Sequence, residues 1–173
     1  MNIYIDCGAH NGDTVDCESL FNFAADRKIA FEPNKKLHKD LNEVGFDEVY
    51  RKAVWIKDDK VKFYIDDSKS PMGSTLMKHK RTGKLRLLPQ LVDTIDFSAY
   101  LKQFENDTVL IKMDCEGAEF AILEKMLEDG TTSIPKKMYV EFHPNKVPEY
   151  TTDYKNDLIS RLKQAKLKIK EWH

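Results

Sequence analysis

Asn2-Ile3-Tyr4-Ile5-Asp6-Cys7-Gly8-Ala9-His10-Asn11-Gly12 opens the chain, and its reading decides the fold. Asn2 to Asp6 has the length and apolar character of a strand, and it stops at an acidic residue. The turn from Cys7 to Gly12 carries two glycines. Beyond it Asp13 or Thr14 can cap a helix with Val15, Leu20 and Phe23 on its apolar side. Strand, glycine-bearing loop and helix in this order begin a βαβ unit. The missing side chains at Gly8 and Gly12 let a ligand approach the backbone, and the helix N-terminus supplies free N–H groups. Asp6, Gly8, Ala9, His10, Asn11, Gly12, Asp13 and Thr14 are therefore candidate contacts of a nucleotide-type ligand, with a plain tight turn as the alternative.

The same alternation continues outward. Lys28 to Phe31 reads as a second strand ending at Glu32, after which Pro33-Asn34 opens a helix carrying Leu37 and Leu41. A third strand is expected around Glu48 to Trp55, a turn at Asp58-Asp59, and a half-buried or edge strand from Val61 to Ile65. Asp66 to Gly83, rich in Ser, Lys, Gly and Pro, reads as a long surface loop. Leu85 to Leu91 suggests a short strand and Phe97 to Phe104 a short helix after Asp96. Val109 to Asp114 is the strongest strand, and it feeds an amphipathic helix with Phe120, Ile122, Leu123, Met126 and Leu127 that ends at Gly130. Lys137 to Phe142 is a fifth main strand, followed by a helix from Tyr154 to Ala165 and a last strand from Lys166 to Trp172. This order predicts an α/β fold: a Rossmann-like, doubly wound, mostly parallel sheet with helices on both faces, in one domain over residues 1–173, the last antiparallel edge strand being absent.

Composition narrows the function classes. With 41% hydrophobic residues and no apolar run long enough to span a bilayer, the chain reads as soluble, without a membrane partner. Its N-terminus is a strand and lacks the parts of a signal peptide, and its three cysteines, Cys7, Cys17 and Cys115, form no disulfide framework. A reducing, cytoplasmic setting is expected. No Cys/His cluster suits zinc, and no metal site is expected, although Asp114 and Glu116 are carboxylates near enough in sequence to share a cation. A net charge of −1 gives no general case for nucleic acid. Only Lys78 to Arg86 is strongly basic; it can bind phosphate or a nucleic-acid backbone, but a solvated loop is favoured.

In an open parallel sheet the ligand lies beyond the carboxyl ends of the strands, where the strand order reverses. Asp6, Glu32, Asp114 with Glu116, and Glu141 with His143 all fall at such ends. Glu32, 20 residues after Gly12, is placed to accept hydrogen bonds from both hydroxyls of an adenosine ribose. Alternatively, it begins the next helix. Pro33 follows it, and Ala53-Val54 can lie beside an adenine ring. Ile111-Lys112-Met113-Asp114-Cys115-Glu116-Gly117-Ala118-Glu119 discharges an apolar strand into three carboxylates. Glu116 and Glu119 can favour a helix dipole there. Asp114 can orient a hydroxyl or act as a base, His143 titrates near neutrality, and Lys112 shares the face of Asp114.

Tyr4 to Gly12, Ala30-Phe31-Glu32-Pro33-Asn34 and Ile111 to Glu119 together resemble the FkbM-type methyltransferase family. Gly73-Ser74-Thr75-Leu76 and Val92-Asp93-Thr94-Ile95-Asp96 are similar to further blocks of that family. Cys115 stands where an apolar residue is commoner, and the C-terminal part is short. The resemblance implies S-adenosylmethionine as methyl donor and, usually, O-methylation. The donor would be held by the Asp6 to Thr14 segment with Glu32, Pro33, Ala53, Val54, Asp114 and Glu116. Asp114, His143 and Lys112 would serve the transfer. The acceptor is left open among sugars, nucleotides and other small hydroxylated molecules, as is the oligomeric state. Two further readings stand beside it: a nicotinamide-dependent oxidoreductase, against which the absence of Gly-x-Gly-x-x-Gly counts, and a Rossmann-like binding module without catalysis.

Overall fold

A computed structural model describes residues 1–66, 73–78 and 89–172. In chain order its elements are β1 (Asn2–Cys7), α1 (Cys17–Phe21), β2 (Arg27–Phe31), α2 (His38–Val44), β3 (Glu48–Tyr50), β4 (Ala53–Trp55), β5 (Lys60–Phe63), β6 (Gln90–Asp96), α3 (Phe97–Leu101), β7 (Thr108–Met113), α4 (Glu119–Glu128), β8 (Pro135–Val140), α5 (Thr152–Gln164) and β9 (Ile169–Glu171). Six strands form one sheet in the order β3-β2-β1-β7-β8-β9, and every pairing in it is parallel. The direction of winding reverses between β1 and β7, the switch point of a doubly wound sheet.

The period of two along each strand explains why both faces are buried. Ile3, Ile5, Ile29, Phe31, Ile111, Met113, Met138 and Val140 point to one face, where they pack with Phe97 and Leu101 of α3, Phe120 and Leu123 of α4, and Leu158 and Leu162 of α5. Tyr4, Ala30, Leu110 and Tyr139 point to the other, against Phe21 of α1 and Leu41 of α2. Strands covered on both sides read as continuous apolar runs, which is why β1 and β7 stand out in the sequence. Asp6 and Lys112 occupy the second face at its carboxyl end, paired in register across β1 and β7.

Several local expectations are corrected. The predicted third strand is two: β3 belongs to the main sheet, whereas after Arg51 and Lys52 the chain passes into β4 of a three-stranded sheet ordered β4-β6-β5. There β4 pairs parallel and β5 antiparallel with β6. Helix α1 is capped by Asp16, whose side chain accepts from the Ser19 N–H, and not by Asp13 or Thr14. Leu20 is on the exposed side of α1, and Phe23 lies beyond its end. Asn34 opens a turn closed by the Leu37 N–H on its carbonyl, with its side chain accepting from the Lys36 N–H, so α2 begins only at His38. Most of the predicted Leu85–Leu91 strand, the interior of the Asp66–Gly83 loop and the basic stretch beyond Lys78 lie outside the described residues. Among the described residues, no helix is long and apolar enough to cross a membrane.

Candidate active site

The carboxyl ends of β1, β2, β7 and β8, together with the start of β4, border one cavity of about 280 Å³. Its wall takes in Gly8 to Asn11, Asp13 and Thr14 of the first loop, Glu32 and Pro33, Ala53 and Val54, and Lys112, Asp114, Glu116 and Glu141. Asp6 lies fully buried behind this wall, and Gly12 packs against α2.

The loop is held between β2 and β7 by hydrogen bonds that continue the ladder: the Gly8 N–H donates to the Phe31 carbonyl of β2 at 2.9 Å, and the Asp114 N–H, just past β7, donates to the carbonyl of Cys7 at 2.9 Å. Gly8 has a φ of 78°, and a Cβ built there would stand 2.0 Å from the Asp114 carbonyl oxygen. Gly12, at φ 84°, would place its Cβ 2.6 Å from Val44. His10 is also left-handed, and its N–H donates to Glu32 at 3.0 Å.

Glu32 is a buried carboxylate with one backbone donor on each oxygen, His10 N–H at 3.0 Å and Asn34 N–H at 2.7 Å. A carboxylate oxygen has a second lone pair, so the geometry leaves each able to accept one hydroxyl. Burial pushes the Glu32 carboxyl up to about 7, against the pull of those two N–H groups.

Lys112 reaches from β7 toward the first loop. Its ammonium lies 3.3 Å from Asp6 and 3.9 Å from Asp114, and it donates to the Gly8 carbonyl at 3.1 Å. The Thr14 hydroxyl donates to the other oxygen of Asp6. Burial opposes the charge on Lys112, yet Asp6 and Asp114 together hold its pKa above the ordinary value. Its contacts make it the group that fixes the loop.

The far end of the cavity is acidic. At the end of β7, Glu116 and Gly117 both take positive φ, and the Thr75 hydroxyl donates to the Glu116 carbonyl at 2.8 Å, which brings the Gly73–Leu76 segment over this turn. Ser74 and Leu76 line the cavity. His143, at the end of β8, is only 3% exposed and sits behind the wall. Its Nε2 points at Asp114 (3.8 Å), Glu116 (3.4 Å) and Glu141 (3.5 Å), while Nδ1 is 3.2 Å from Glu119. Burial pulls the imidazole pKa down, but the Glu119 hydrogen bond and the neighbouring carboxylates outweigh it and raise it. Burial pushes the Asp114 carboxyl up to about 6, with Lys112 pulling against it and Glu141 adding to it.

Two residues of this cluster carry no catalytic or ligand-binding role on sequence alone: Glu119 reads as a helix-end charge and Glu141 only by its place at a strand end. Glu119 is the first residue of α4 and fully buried; it accepts the Gly117 N–H and the His143 N–H, each at 2.8 Å, so it serves the site and not the helix dipole alone. Glu141, whose N–H continues the ladder to Met113, faces the cavity beside Asp114. Its place two residues before His143 on the same strand face was the available signal.

The profile of the Methyltransferase FkbM domain family matches residues 6–165. Among solved structures, the crystal structure of a methyltransferase FkbM from Methylobacillus flagellatus KT superposes with a TM-score of 0.55 at 17% identity, over 92% of this chain and 38% of that one. This chain therefore spans well under half the length of that protein, and the likeness concerns the fold. No curated protein matches the chain.

Proposed function

The chain belongs to the FkbM methyltransferase family, and from that premise we propose that it binds S-adenosylmethionine in the cavity at the switch point and catalyses O-methylation of a small hydroxylated acceptor. The observation that carries this reading is Glu32: a buried carboxylate at the end of β2, held by two backbone N–H groups, with one lone pair on each oxygen left for a ribose hydroxyl. The Gly8 to Asn11 backbone borders the same space, and the absence of a side chain at Gly8 is what lets that loop lie against the Asp114 backbone, whereas Gly12 faces α2.

Bound there, the donor supplies an electrophilic methyl group on a positively charged sulfur. The residues of the chain do the rest. The Gly8 to Asn11 backbone and Thr14 border the methionine part, Glu32 holds the ribose, and Ala53, Val54 and Pro33 offer an apolar wall to the base. Lys112 holds Asp6 and the Gly8 carbonyl so that the loop keeps its shape. Asp114, exposed to the cavity at the end of β7, orients the acceptor hydroxyl and accepts its proton, and His143 stands behind it. Most of the rate on this reading comes from holding the two reactants at close range.

Calorimetric titration with S-adenosylhomocysteine, in parallel with NAD, tests it on the wild type and on Glu32→Ala. Binding of the homocysteine compound alone, lost in the variant, is the expected result. Binding of NAD instead would move the protein to the oxidoreductases, and binding of neither to a module without this cofactor.

A further inference from the structure

The first loop, Glu32 and Lys112 account for one end of the cavity. The other end carries more chemistry than orienting a hydroxyl requires. One ligating atom from each of Asp114, Glu141 and His143 lies within 4.8 Å of the other two. Two donors that share one first-row divalent ion at about 2.1 Å each stand roughly 3 to 4 Å apart, and His143 Nε2 is 3.8 Å from Asp114 and 3.5 Å from Glu141.

Carboxylates gather on many surfaces without binding anything, so the imidazole decides the matter. His143 is 3% exposed, and among the described residues its Nε2 makes no hydrogen bond although it points directly into the acidic group. A buried polar atom without a partner is costly to keep. The opposite ring nitrogen faces Glu119, which also accepts the His143 backbone N–H and is fully buried. A carboxylate on Nδ1 fixes a proton there and orients the ring, so that an ion taking the place of a proton at Nε2 meets a correctly aimed nitrogen, which is how metal-bound histidines are held. Asp114 Oδ1 is likewise buried and without a hydrogen bond among the described residues. Lys112 is closer to Asp6 than to Asp114, and Lys146 lies 3.8 Å from Glu116, so the two ammonium groups only partly offset the charge.

We propose that Asp114, Glu141 and His143 form a divalent-cation site at the inner end of the cavity, with Glu119 orienting the imidazole from behind. Two oxygens and one imidazole suit Mn²⁺, Fe²⁺ or Zn²⁺ better than Ca²⁺, which takes six to eight oxygen ligands. Asp114 and Glu141 both line the cavity, so an ion between them adjoins the space where an acceptor would enter. Resting on the methyltransferase reading, the ion would hold the acceptor oxygen, and Asp114 would orient that oxygen through it.

The probe is Mn²⁺ alone, titrated into the ligand-free protein and followed by electron paramagnetic resonance. The expected result is one ion bound per chain, with spin-echo modulation from a directly coordinated imidazole nitrogen, and affinity at least about tenfold weaker in Glu141→Gln and in Asp114→Asn. The partial exposure of Glu141 and Asp114 lets both variants be made without emptying the core. No saturable binding, no nitrogen modulation, or affinity unchanged in both variants overturns the site. S-adenosylhomocysteine calorimetry on the same samples separates the two claims. Mn²⁺ binding without the homocysteine compound defeats the donor reading and keeps the cation site; the reverse defeats the site alone.

Discussion

Gly8 and Asp114 meet across the switch point so closely that a Cβ on Gly8 would lie 2.0 Å from the Asp114 carbonyl oxygen. That oxygen belongs to a backbone already tied to β1 by the Asp114 N–H to Cys7 bond, so it cannot move without parting the two central strands. Gly130 has nearly the same left-handed φ, 73° against 78°, but nothing within 4 Å of where its Cβ would be. The pair separates conformational strain from collision. Gly130→Ala should cost about 1 kcal/mol, the penalty of a left-handed alanine alone. Gly8→Ala should cost about 3 kcal/mol or more and abolish S-adenosylhomocysteine binding. Urea unfolding of both variants with calorimetry on each provides the check, and equal losses would refute the collision.

Glu32 should make ligand binding depend on pH in a defined direction. Burial raises its carboxyl to about 7, with Asp6 adding to the effect and the Asn34 and His10 N–H groups and Lys112 opposing it. A native group that holds its proton up to a higher pH than the unfolded one lowers stability as pH rises across the interval, here from about 4.5 to about 7. Ribose hydroxyls need the ionised form, so binding draws the other way. Affinity for S-adenosylhomocysteine should fall by up to about tenfold per pH unit below pH 7 and be flat above it. Glu32→Gln should remove both effects. A flat affinity from pH 5.5 to 8.5 in the wild type would show that the ligand does not use this carboxylate.

How much of this was legible in the sequence differs between strands and turns. The central strands β1 and β7 are covered on both faces, so their apolar runs and acidic ends were visible without any partner. The break between β3 and β4 was not, because Tyr50 and Ala53 read as one apolar pattern and only the pairing of β4 with β6 separates them. Asp13, Thr14 and Asp16 all have capping chemistry; what removes Thr14 from the choice is its bond to Asp6 across the loop. Glu119 carries the same ambiguity at the site. A glutamate opening a helix is ordinary, and its second role appears only when β8 brings His143 to it.

Glu119 is therefore expected to matter more than its position on a helix suggests. Its carboxylate accepts from Gly117 N–H and His143 N–H and faces His143 Nδ1, with no exposure to solvent. Glu119→Gln puts an amide donor where these donors converge. A buried donor left unpaired costs about 1–3 kcal/mol, so the variant should lose about 2–3 kcal/mol and melt roughly 4–12 °C lower. Glu124→Gln on the same helix weakens only the half-exposed pairing with Arg161 and Tyr154 and should cost no more than about 1 kcal/mol. Differential scanning calorimetry of the two variants decides it; equal shifts would mean that Glu119 acts only as a helix-end charge.

Asp6 and Lys112 form a buried ion pair, 0% and 7% exposed at the side chain, and Lys112 also carries the Gly8 carbonyl. Removing one partner of such a pair strands the other charge, which is worse than removing both. Lys112→Met should lose about 3–5 kcal/mol, since Asp6 then keeps only the Thr14 hydroxyl and the loop loses its anchor. Asp6→Asn in the Lys112→Met background removes the stranded charge and retains an oxygen for Thr14, so the double variant should be more stable than Lys112→Met by about 1–2 kcal/mol. The Gly8 carbonyl stays unsupported in both, and donor binding should not return with the stability. Chemical unfolding with calorimetry on the two variants separates these effects. Recovery of binding together with stability would mean that Lys112 serves the fold alone, and a double variant no more stable than Lys112→Met would mean that the Asp6 charge is not what the lysine offsets.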